Sequence, residues 1–344
     1  MKIKNEMFFL TLRNYLQIYL QKNRGYSHNT VKSYTDSLSL FFGFMAEEKG
    51  IPLLKMNWEY FSYDNVSAFL IWLSERRGCS KQTQLQRLTA IRSFIQYAGT
   101  NDLSLVSLQT ELGKIKLKKP PQKPVSYLSK EQFAVLLQQP NLQKPTGLRD
   151  MVLMMLMYDT AARCQEIVNL QLKNLEIDSK MPHIYLTGKG DKTRVVPVMP
   201  KTVQHLKHYL QKFHSGNLSD KESYLFYTVS YGQRHRMSED TVAAFIKKYG
   251  LMAKDISPDM PARIHPHMLR HTRAMHLYQG GMPMVLLSDL LGHAQLETTR
   301  IYAYADIEMK KEAIQRANGT DTTPMSQAIW KNDEEMIRKL TGLR

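Results

Sequence analysis

A stretch rich in lysine and proline divides this chain into two parts. Between Glu111 and Glu131 there are six lysines, three prolines and no acidic residue. Proline ends helices and stiffens an extended chain, so the stretch predicts a linker between two domains. The chain has 344 residues, and a domain typically holds about 100–200 residues. The predicted order is a first domain at 1–113, a linker at 114–125, a second domain at 126–318 and a C-terminal segment at 319–344.

The first domain carries four amphipathic helical patterns. The patterns span 9–19, 31–45, 66–73 and 85–98. In each, apolar residues recur every three or four positions, which places them on one face of a helix. Ser27 or Asn29 is a candidate N-cap for the second helix, and Ser80 for the fourth. The sequence therefore predicts a helical bundle whose apolar stripes form one core.

Polar and basic residues on the other faces of these helices, and lysines of the linker, suit contacts with phosphates and base edges of nucleic acid. A solvated surface would carry the same residue types, so each position has that alternative. Arg92 lies on the same faces. The candidates for DNA contact are Thr30, Lys32, Lys81, Thr83, Arg87, Lys116, Lys118 and Lys119.

The second domain combines helices with a short β region. Ser129 is a candidate N-cap, and a strongly apolar helix follows at 151–158. Glycines on both sides of Lys189, between two strand-like runs, predict a tight hairpin with this lysine at its tip. Strand-like runs lie at 175–177, 183–186 and 193–198, and further helices are predicted at 203–213, 241–249, 268–278 and 284–291. The predicted fold class is mainly α with a small antiparallel β-sheet.

The charge of the chain favours a polyanionic partner. The formal net charge is +16, and both parts of the chain are basic, which is typical of proteins that bind nucleic acid; solubility alone is the alternative. Two cysteines exclude a disulfide scaffold. No apolar run approaches the ~18 residues that a membrane span requires. We therefore expect a protein of the cytoplasm, associated with the nucleoid, without membrane contact.

Polar residues that a core would not need stand at five places in the second domain. Two arginines can bind the oxygens of one phosphate, and a lysine or a histidine can transfer protons. A tyrosine surrounded by cations can act as a nucleophile. Such a set would cleave a phosphodiester covalently without a metal ion or another cofactor. The residues are Arg163, Lys189, the His267-Met268-Leu269-Arg270-His271 run, His293 and Tyr302.

Each of these residues also has a structural alternative. Arg163 could pair with Glu166, Lys189 could be an ordinary turn residue, and His293 could cap a helix end. Four histidines between 265 and 276 include a His-x-x-x-His step that could bind zinc. Neither an HExxH glutamate nor a nearby cysteine completes a zinc site, so no metal site is predicted.

The order of the motifs carries more information than any one of them. They are Thr160-Ala161-Ala162-Arg163, Gly188-Lys189-Gly190, His267-Met268-Leu269-Arg270-His271, Leu291-Gly292-His293 and Thr298-Thr299-Arg300-Ile301-Tyr302. In this order they resemble the tyrosine recombinase family of phage integrases and Xer-like resolvases. The Tyr26-Ser27-His28-Asn29-Thr30 run of the first domain is similar to the family's SAM-like core-binding domain. The resemblance implies a helical core-site DNA-binding domain followed by an α+β catalytic domain.

The resemblance also implies roles for the residues that bind the phosphate. Arg163 and Arg270 would clamp the scissile phosphate, and His293 would hydrogen-bond one of its nonbridging oxygens. These side chains would compensate the charge that develops on the phosphate.

For bond breaking, the resemblance implies that Tyr302 attacks the phosphorus and forms a 3′-phosphotyrosyl bond. His267 would assist proton transfer at the tyrosine, and Lys189 would protonate the leaving 5′ oxygen. Tyr304 is a second candidate nucleophile, but Tyr302 follows Thr298-Thr299 at the family spacing. Ala161 departs from the glycine common in the family, which we expect only to stiffen the turn.

The resemblance predicts a site-specific DNA recombinase that acts in integration, excision, resolution or transposition of a mobile element. Its expected partners are double-stranded DNA with a core site, further copies of the chain in a tetramer, and an accessory or partner recombinase. The C-terminal segment, with Trp330, would be exchanged with a neighbouring subunit. Fewer than ten residues precede the first helix, so we expect no separate arm-site domain. A type IB topoisomerase-like nicking-closing enzyme and a non-catalytic DNA-binding relative are the alternatives.

Overall fold

The computed structural model describes most of the chain. The described residues are 5–118, 125–188, 190–216, 220–293 and 295–305, with single positions at 311, 334, 335 and 338. Lys119, Lys189 and the side chain of Tyr304 lie outside the described residues. The same holds for the C-terminal segment apart from three of its positions.

The chain forms two compact units, Met1–Gln122 and Lys123–Arg344. Within the described residues both units are mainly helical, and the second also contains two small antiparallel sheets. This is the predicted fold class. No helix in the described ranges has the length and apolar character needed to cross a bilayer.

The four predicted helical patterns of the first unit all form helices. The helices are α1 (Glu6–Asn14), continued by a π-helical segment (Tyr15–Asn23), α2 (His28–Lys49), α3 (Tyr63–Glu75), α4 (Lys81–Asn101) and α5 (Val106–Gly113). Their apolar faces meet in one core in which many of the buried side chains are aromatic. Helix α5 is an addition to the prediction, because eight residues are too few to show a clear periodicity.

Serine side chains begin two of these helices. The Ser27 hydroxyl accepts a hydrogen bond from the backbone N–H of Thr30 at 3.4 Å, and the Ser80 hydroxyl accepts one from that of Thr83 at 3.2 Å. Ser27 is therefore the N-cap of α2, as one of the two alternatives had it. The hydroxyls of Thr30 and Thr83 each lie 3.0 Å from their serine caps, so both threonines belong to the caps.

Two arginines on the side of α4 away from the apolar stripe bind other groups of the bundle. Arg87 is half-buried and donates from Nη1 to the Ser37 hydroxyl at 2.8 Å, which links α4 to α2. Arg92 donates from Nη2 to the carbonyl of Leu112 at 2.7 Å and also to that of Ile115. Carbonyls at a helix end lack intrahelical partners, and Arg92 satisfies them at the end of α5. Both side chains are therefore held by contacts within the bundle.

The second unit is built around one apolar helix. Its helices are α6 (Lys130–Leu137), α7 (Pro145–Thr160), α8 (Cys164–Val168), α9 (Pro200–Phe213), α10 (Glu239–Ile256), α11 (Pro266–Gln279), α12 (Met284–Leu291) and α13 (Arg300–Ala305). Helix α7 is almost entirely buried and packs against α9 and α11. Ser129 and Gln132 form a capping box at the start of α6, as expected for the predicted cap.

The predicted β region forms a three-stranded antiparallel sheet. Its strands are β1 (Leu175–Glu176), β2 (His183–Thr187) and β3 (Thr193–Pro197), in that order across the sheet. Thr187 pairs with Thr193, so β2 and β3 form the predicted hairpin around 188–192. A second hairpin, β4 (Tyr227–Ser230) with β5 (Gln233–Arg236), was not predicted. Strand β5 is exposed throughout, so it lacks the apolar alternation by which a strand is recognised.

Candidate active site

The end of helix α7 leads directly to Arg163. After α7 the chain turns at Ala161, which is fully buried and has a left-handed backbone with φ 50° and ψ 27°. Arg163 then occupies the N-cap position of α8. A left-handed conformation costs a non-glycine residue roughly 1–2 kcal/mol. Ala161 therefore stores strain where a glycine would be relaxed.

Arg270 connects this turn with the end of another helix. It lies on α11, is only 3% exposed, and donates to the carbonyls of Ala161 at 2.8 Å and Leu291 at 2.6 Å. Burial and the nearby positive charge of Arg163 lower the pKa of Arg270 to about 10. The guanidinium remains charged at neutral pH, so a buried cation stands between α7 and α12.

Arg163 and His293 lie beside Arg270. Arg163 donates from Nη2 to the carbonyl of Gly292 at 3.3 Å, and its side chain remains 34% exposed. His293 follows Gly292, and its Nδ1 forms a hydrogen bond of 2.8 Å with the Thr299 hydroxyl. Burial and the charges of Arg270 and Arg163 lower the pKa of His293 to about 4. The imidazole is therefore neutral, and with Nδ1 on Thr299 its Nε2 is left to contact a ligand.

Sequence reasoning missed a buried ion-pair network behind Arg163. Glu166 accepts from Arg163 Nη1 at 2.9 Å and from both terminal nitrogens of Arg194, at 2.9 and 2.7 Å. Burial alone would raise the pKa of Glu166, but the hydrogen bonds and charges of Arg194 and Arg163 lower it. The predicted ion pair between Arg163 and Glu166 is therefore present. Arg194, in β3, had no signal beyond being one more basic residue.

Arg194 also ties the hairpin to the last turn of α12, shortly before His293. Its Nε donates to the carbonyl of Leu290 at 2.9 Å. A Cβ added to Gly292, whose φ is +60°, would lie 3.0 Å from Arg194 Nη1. A larger residue than glycine would therefore be strained here and would crowd the guanidinium.

The β2–β3 hairpin begins against the same cluster. The backbone N–H of Gly188 donates to the carbonyl of Lys192 at 2.9 Å, which closes the turn. A Cβ added to Gly188 would lie 2.9 Å from Glu166 Oε1 and 3.8 Å from Arg163 Nη1. Lys189 itself lies outside the described residues, but the residue before it touches the arginine cluster.

Tyr302 is buried next to a histidine of α11. It lies on α13, is 1% exposed, and its hydroxyl forms a hydrogen bond of 3.0 Å with His271 Nδ1. Burial raises the pKa of Tyr302 to about 12, although the charge of Arg270 opposes the shift. The phenol is therefore protonated at neutral pH.

His267, expected to assist the tyrosine, lies one helical turn before His271. The two rings are 5.8 Å apart between centroids, and it is His271 that forms a hydrogen bond with the Tyr302 hydroxyl. Partial desolvation and Arg270 lower the pKa of His267. Further along α11, Nδ1 of His276 lies 2.8 Å from the hydroxyl of Tyr158. Among the described residues, no group of three or more His, Cys, Asp or Glu side chains could hold a metal ion.

The cluster is suited to bind an anion next to the phenol of Tyr302. Arg163 and Arg194 bind the single carboxylate of Glu166, and the charge of Glu166 also acts on Arg270, so these four side chains carry excess positive charge. Arginine binds phosphate oxygens through pairs of N–H groups, and Arg163 is the most exposed of the three. The site thus combines a cluster of arginines, neutral histidines and a phenol.

In the first unit and the start of the linker, the lysine candidates are exposed. Lys32, Lys81, Lys116 and Lys118 all face solvent. Their ammonium groups are available to a polyanion, but this exposure is equally that of a solvated surface.

Family models match both units. The model of the phage integrase family matches residues 126–309, and the model of the phage integrase N-terminal SAM-like domain matches residues 12–101. The fold and the site therefore define a tyrosine-type DNA strand transferase. The chain belongs to the phage integrase family and is a site-specific tyrosine recombinase.

Similar proteins support this assignment over nearly the full chain. The tyrosine recombinase XerD of Vibrio cholerae serotype O1 is 30% identical over 290 residues, which cover 84% of this chain and 90% of that protein. XerC of Chlamydia caviae is 29% identical over 310 residues, which cover 86% and 94%.

Two solved structures share the fold. XerH bound to a palindromic difH substrate in a post-cleavage complex has a TM-score of 0.64 and 21% identity, covering 90% of this chain and 89% of that one. The Tn1549 transposon integrase in complex with transposon right end DNA has a TM-score of 0.66 and 15% identity, covering 88% and 98%.

Proposed function

We propose that this recombinase binds double-stranded DNA at a specific core site and exchanges strands through a covalent intermediate on Tyr302. The observation that carries the proposal is the convergence of Arg163, Arg270 and His293 on one cluster beside the tyrosine. In the printed sequence these residues are spread over about 140 positions, so folding alone brings them together.

In the proposed cleavage step, Arg163 and Arg270 bind the nonbridging oxygens of the scissile phosphate and stabilise the charge that develops at phosphorus. His293 donates a hydrogen bond to the same phosphate from Nε2. The Tyr302 oxygen gives up its proton, a transfer that His267 assists, and forms a bond to phosphorus while the bond from phosphorus to the 5′ oxygen breaks. Lys189 supplies the proton that the leaving oxygen needs.

The product of this step is a 3′-phosphotyrosyl bond and a free 5′ hydroxyl. A 5′ hydroxyl from a second duplex attacks the phosphotyrosyl bond in the reverse reaction. Each step exchanges one phosphoester for another, so the reaction needs no cofactor or external energy source. Strand exchange between two sites requires several copies of the chain, and we propose a tetramer on DNA that integrates, excises, resolves or transposes a mobile element.

The test of this function is covalent capture of DNA without metal. A duplex with a nick near the cleavage position loses a short fragment on cleavage, so religation fails and the adduct accumulates. With such a duplex, built from sequences that the protein selects from a random pool, we expect a protein–DNA adduct in the presence of EDTA. Denaturing electrophoresis and peptide mapping of the linked residue measure it. Cleavage that requires magnesium and leaves no adduct would contradict the proposal.

We propose further that the C-terminal segment packs on the second unit of a neighbouring copy. The segment carries Trp330 and Ile337 among other apolar residues. A mainly apolar cavity of about 580 Å³ lies between α6, α7 and α9 and is large enough for such side chains. Its lining includes Phe133, Leu137, Leu142, Met151, Met155 and Tyr158.

We expect the protein to act in the cytoplasm on nucleoid DNA.

Truncation after Asn318 tests the exchange. The truncated protein should bind a single half-site with nearly normal affinity but lose cooperative assembly on two sites, measured by gel shift and light scattering. Leu142→Asp, at the half-exposed lining of the cavity, should have the same effect. Leu103→Asp places the same change at an exposed leucine of the first unit and should have none. Normal assembly by the truncated chain would rule the exchange out.

A further inference from the structure

The hydroxyl of the nucleophile meets a histidine that has no role in the mechanism above. His271 Nδ1 lies 3.0 Å from the Tyr302 hydroxyl, within the distance at which a general base can take a proton. Tyr302 is buried to 1% exposure, so bulk water has little access to the phenol. A proton leaving this oxygen therefore needs an acceptor inside the protein.

The protonation states give the hydrogen bond a direction. Burial and the charges of His267 and Arg270 lower the pKa of His271 to about 4, and burial raises that of Tyr302 to about 12. At neutral pH the phenol is therefore the donor and the unprotonated Nδ1 is the acceptor. Because the ring is neutral, Nδ1 has a free lone pair that can accept the proton.

We propose that His271 is a second catalytic histidine, which takes the phenolic proton as Tyr302 attacks the phosphate. This inference rests on the proposed function. As the bond from the Tyr302 oxygen to phosphorus forms, the O–H bond breaks and the proton moves to His271 Nδ1. The bond from phosphorus to the 5′ oxygen breaks at the same time, and the leaving oxygen takes its proton from Lys189. Religation reverses each transfer.

Burial is the largest cause of the low pKa of His271, and binding of DNA acts on the second cause, the neighbouring positive charge. The positive and titratable groups that act on its ring are His267, Arg270 and His265. A phosphodiester anion held by Arg163 and Arg270 offsets this positive charge, so the proton affinity of His271 rises when substrate is in place. The same arginines favour the phenolate. Both changes bring the donor and the acceptor closer in proton affinity.

The decisive experiment compares His271→Asn with His271→Ala. The asparagine amide reaches the position of Nδ1 and keeps a hydrogen-bond acceptor, but it cannot hold a proton at neutral pH. A general base contributes about 10²–10⁴-fold, so we expect both variants to form the adduct at least about 100-fold more slowly in single turnover. A residue that only positions the tyrosine would lose activity in His271→Ala and keep most of it in His271→Asn.

A modified substrate separates the two proton transfers. A duplex with sulfur in place of the bridging 5′ oxygen has a leaving group that needs no proton. This duplex should restore cleavage by Lys189→Ala but not by His271→Asn. His276→Asn is the matched control. His276 lies on the same helix as His271, and its Nδ1 makes the same kind of contact with a tyrosine hydroxyl, that of Tyr158. We expect His276→Asn to cleave within about threefold of the wild-type rate, because His276 does not contact any of the reacting atoms.

Three outcomes are decisive. Slow cleavage by both His271 variants that sulfur does not restore supports the inference. Near-normal cleavage by His271→Asn overturns the inference, and so does recovery of its cleavage rate on the duplex with the bridging sulfur. In both cases an adduct formed by the wild-type protein still supports the proposed function. Absence of any adduct from the wild-type protein overturns both. Thermal melting and DNA affinity of each variant report whether it folds.

Discussion

Tyr302→Phe should abolish the covalent adduct and slow cleavage by about 10⁴-fold or more, as removal of a nucleophile does in other covalent enzymes. Phenylalanine keeps the ring that packs in the small core around Ala274 and Leu291, but it has no oxygen to attack phosphorus. The change leaves His271 Nδ1 without its partner, which costs about 1 kcal/mol of stability. The variant should therefore remain folded and bind DNA normally. Single-turnover cleavage of the nicked duplex and peptide mapping measure the effect.

Tyr304→Phe is the control for this prediction. Tyr304 is the second candidate nucleophile and stands two residues further along the chain. We expect Tyr304→Phe to form the adduct at a rate close to that of the wild-type protein. If Tyr304→Phe abolished the adduct and Tyr302→Phe did not, the assignment of the nucleophile would be wrong.

Arg270→Lys should reduce the cleavage rate by about 10²–10³-fold, the cost of removing one donor to a developing negative charge. The guanidinium bonds two carbonyls at once, those of Ala161 and Leu291. A lysine has a single ammonium group and cannot hold both carbonyls while also presenting donors to a phosphate. Affinity for DNA should change far less than the rate, because contacts outside the cluster also bind the backbone.

A lysine at Arg273 provides the matched comparison. Arg273 lies one turn further along α11 and pairs with Asp159 at 3.3 Å, away from the arginine cluster. Arg273→Lys keeps the charge and can keep this ion pair, so we expect a small change in rate. Equal losses in both variants would mean that Arg270 acts through the packing of α11, and a wild-type rate for Arg270→Lys would remove it from the phosphate clamp.

Much of the fold could be predicted because its information is local. The helices around Phe41 and Phe94 follow from apolar spacing, and Ser80 and Ser129 were recognised as caps because a serine hydroxyl can bind the N–H groups at a helix start. Helix α5 and the β4–β5 hairpin were missed. One is too short for a periodic pattern, and the other is stabilised by pairing of its backbone while its side chains face water.

The contacts of the long basic side chains could not be predicted in the same way. Arg87 and Arg92 lie on the polar face of α4 and Arg194 lies in β3, yet each binds a carbonyl, a hydroxyl or a carboxylate from another segment. An arginine that faces solvent and one that reaches a neighbouring carbonyl carry the same local pattern. The difference lies in the position of the neighbour, which the pattern does not contain.

The sequence by itself determined the order of the catalytic motifs, the helices that carry them and the membership of the chain in its family. The resemblance pointed to His267 as the histidine that assists at Tyr302, and nothing in the sequence indicated that His271 contacts the Tyr302 hydroxyl. His267 and His271 are four residues apart, so they share one face of α11 and their spacing does not distinguish them. The choice is made where α13 packs against α11 and brings the Tyr302 hydroxyl to His271. That contact arises from the packing of two distant segments, and only the tertiary structure contains it.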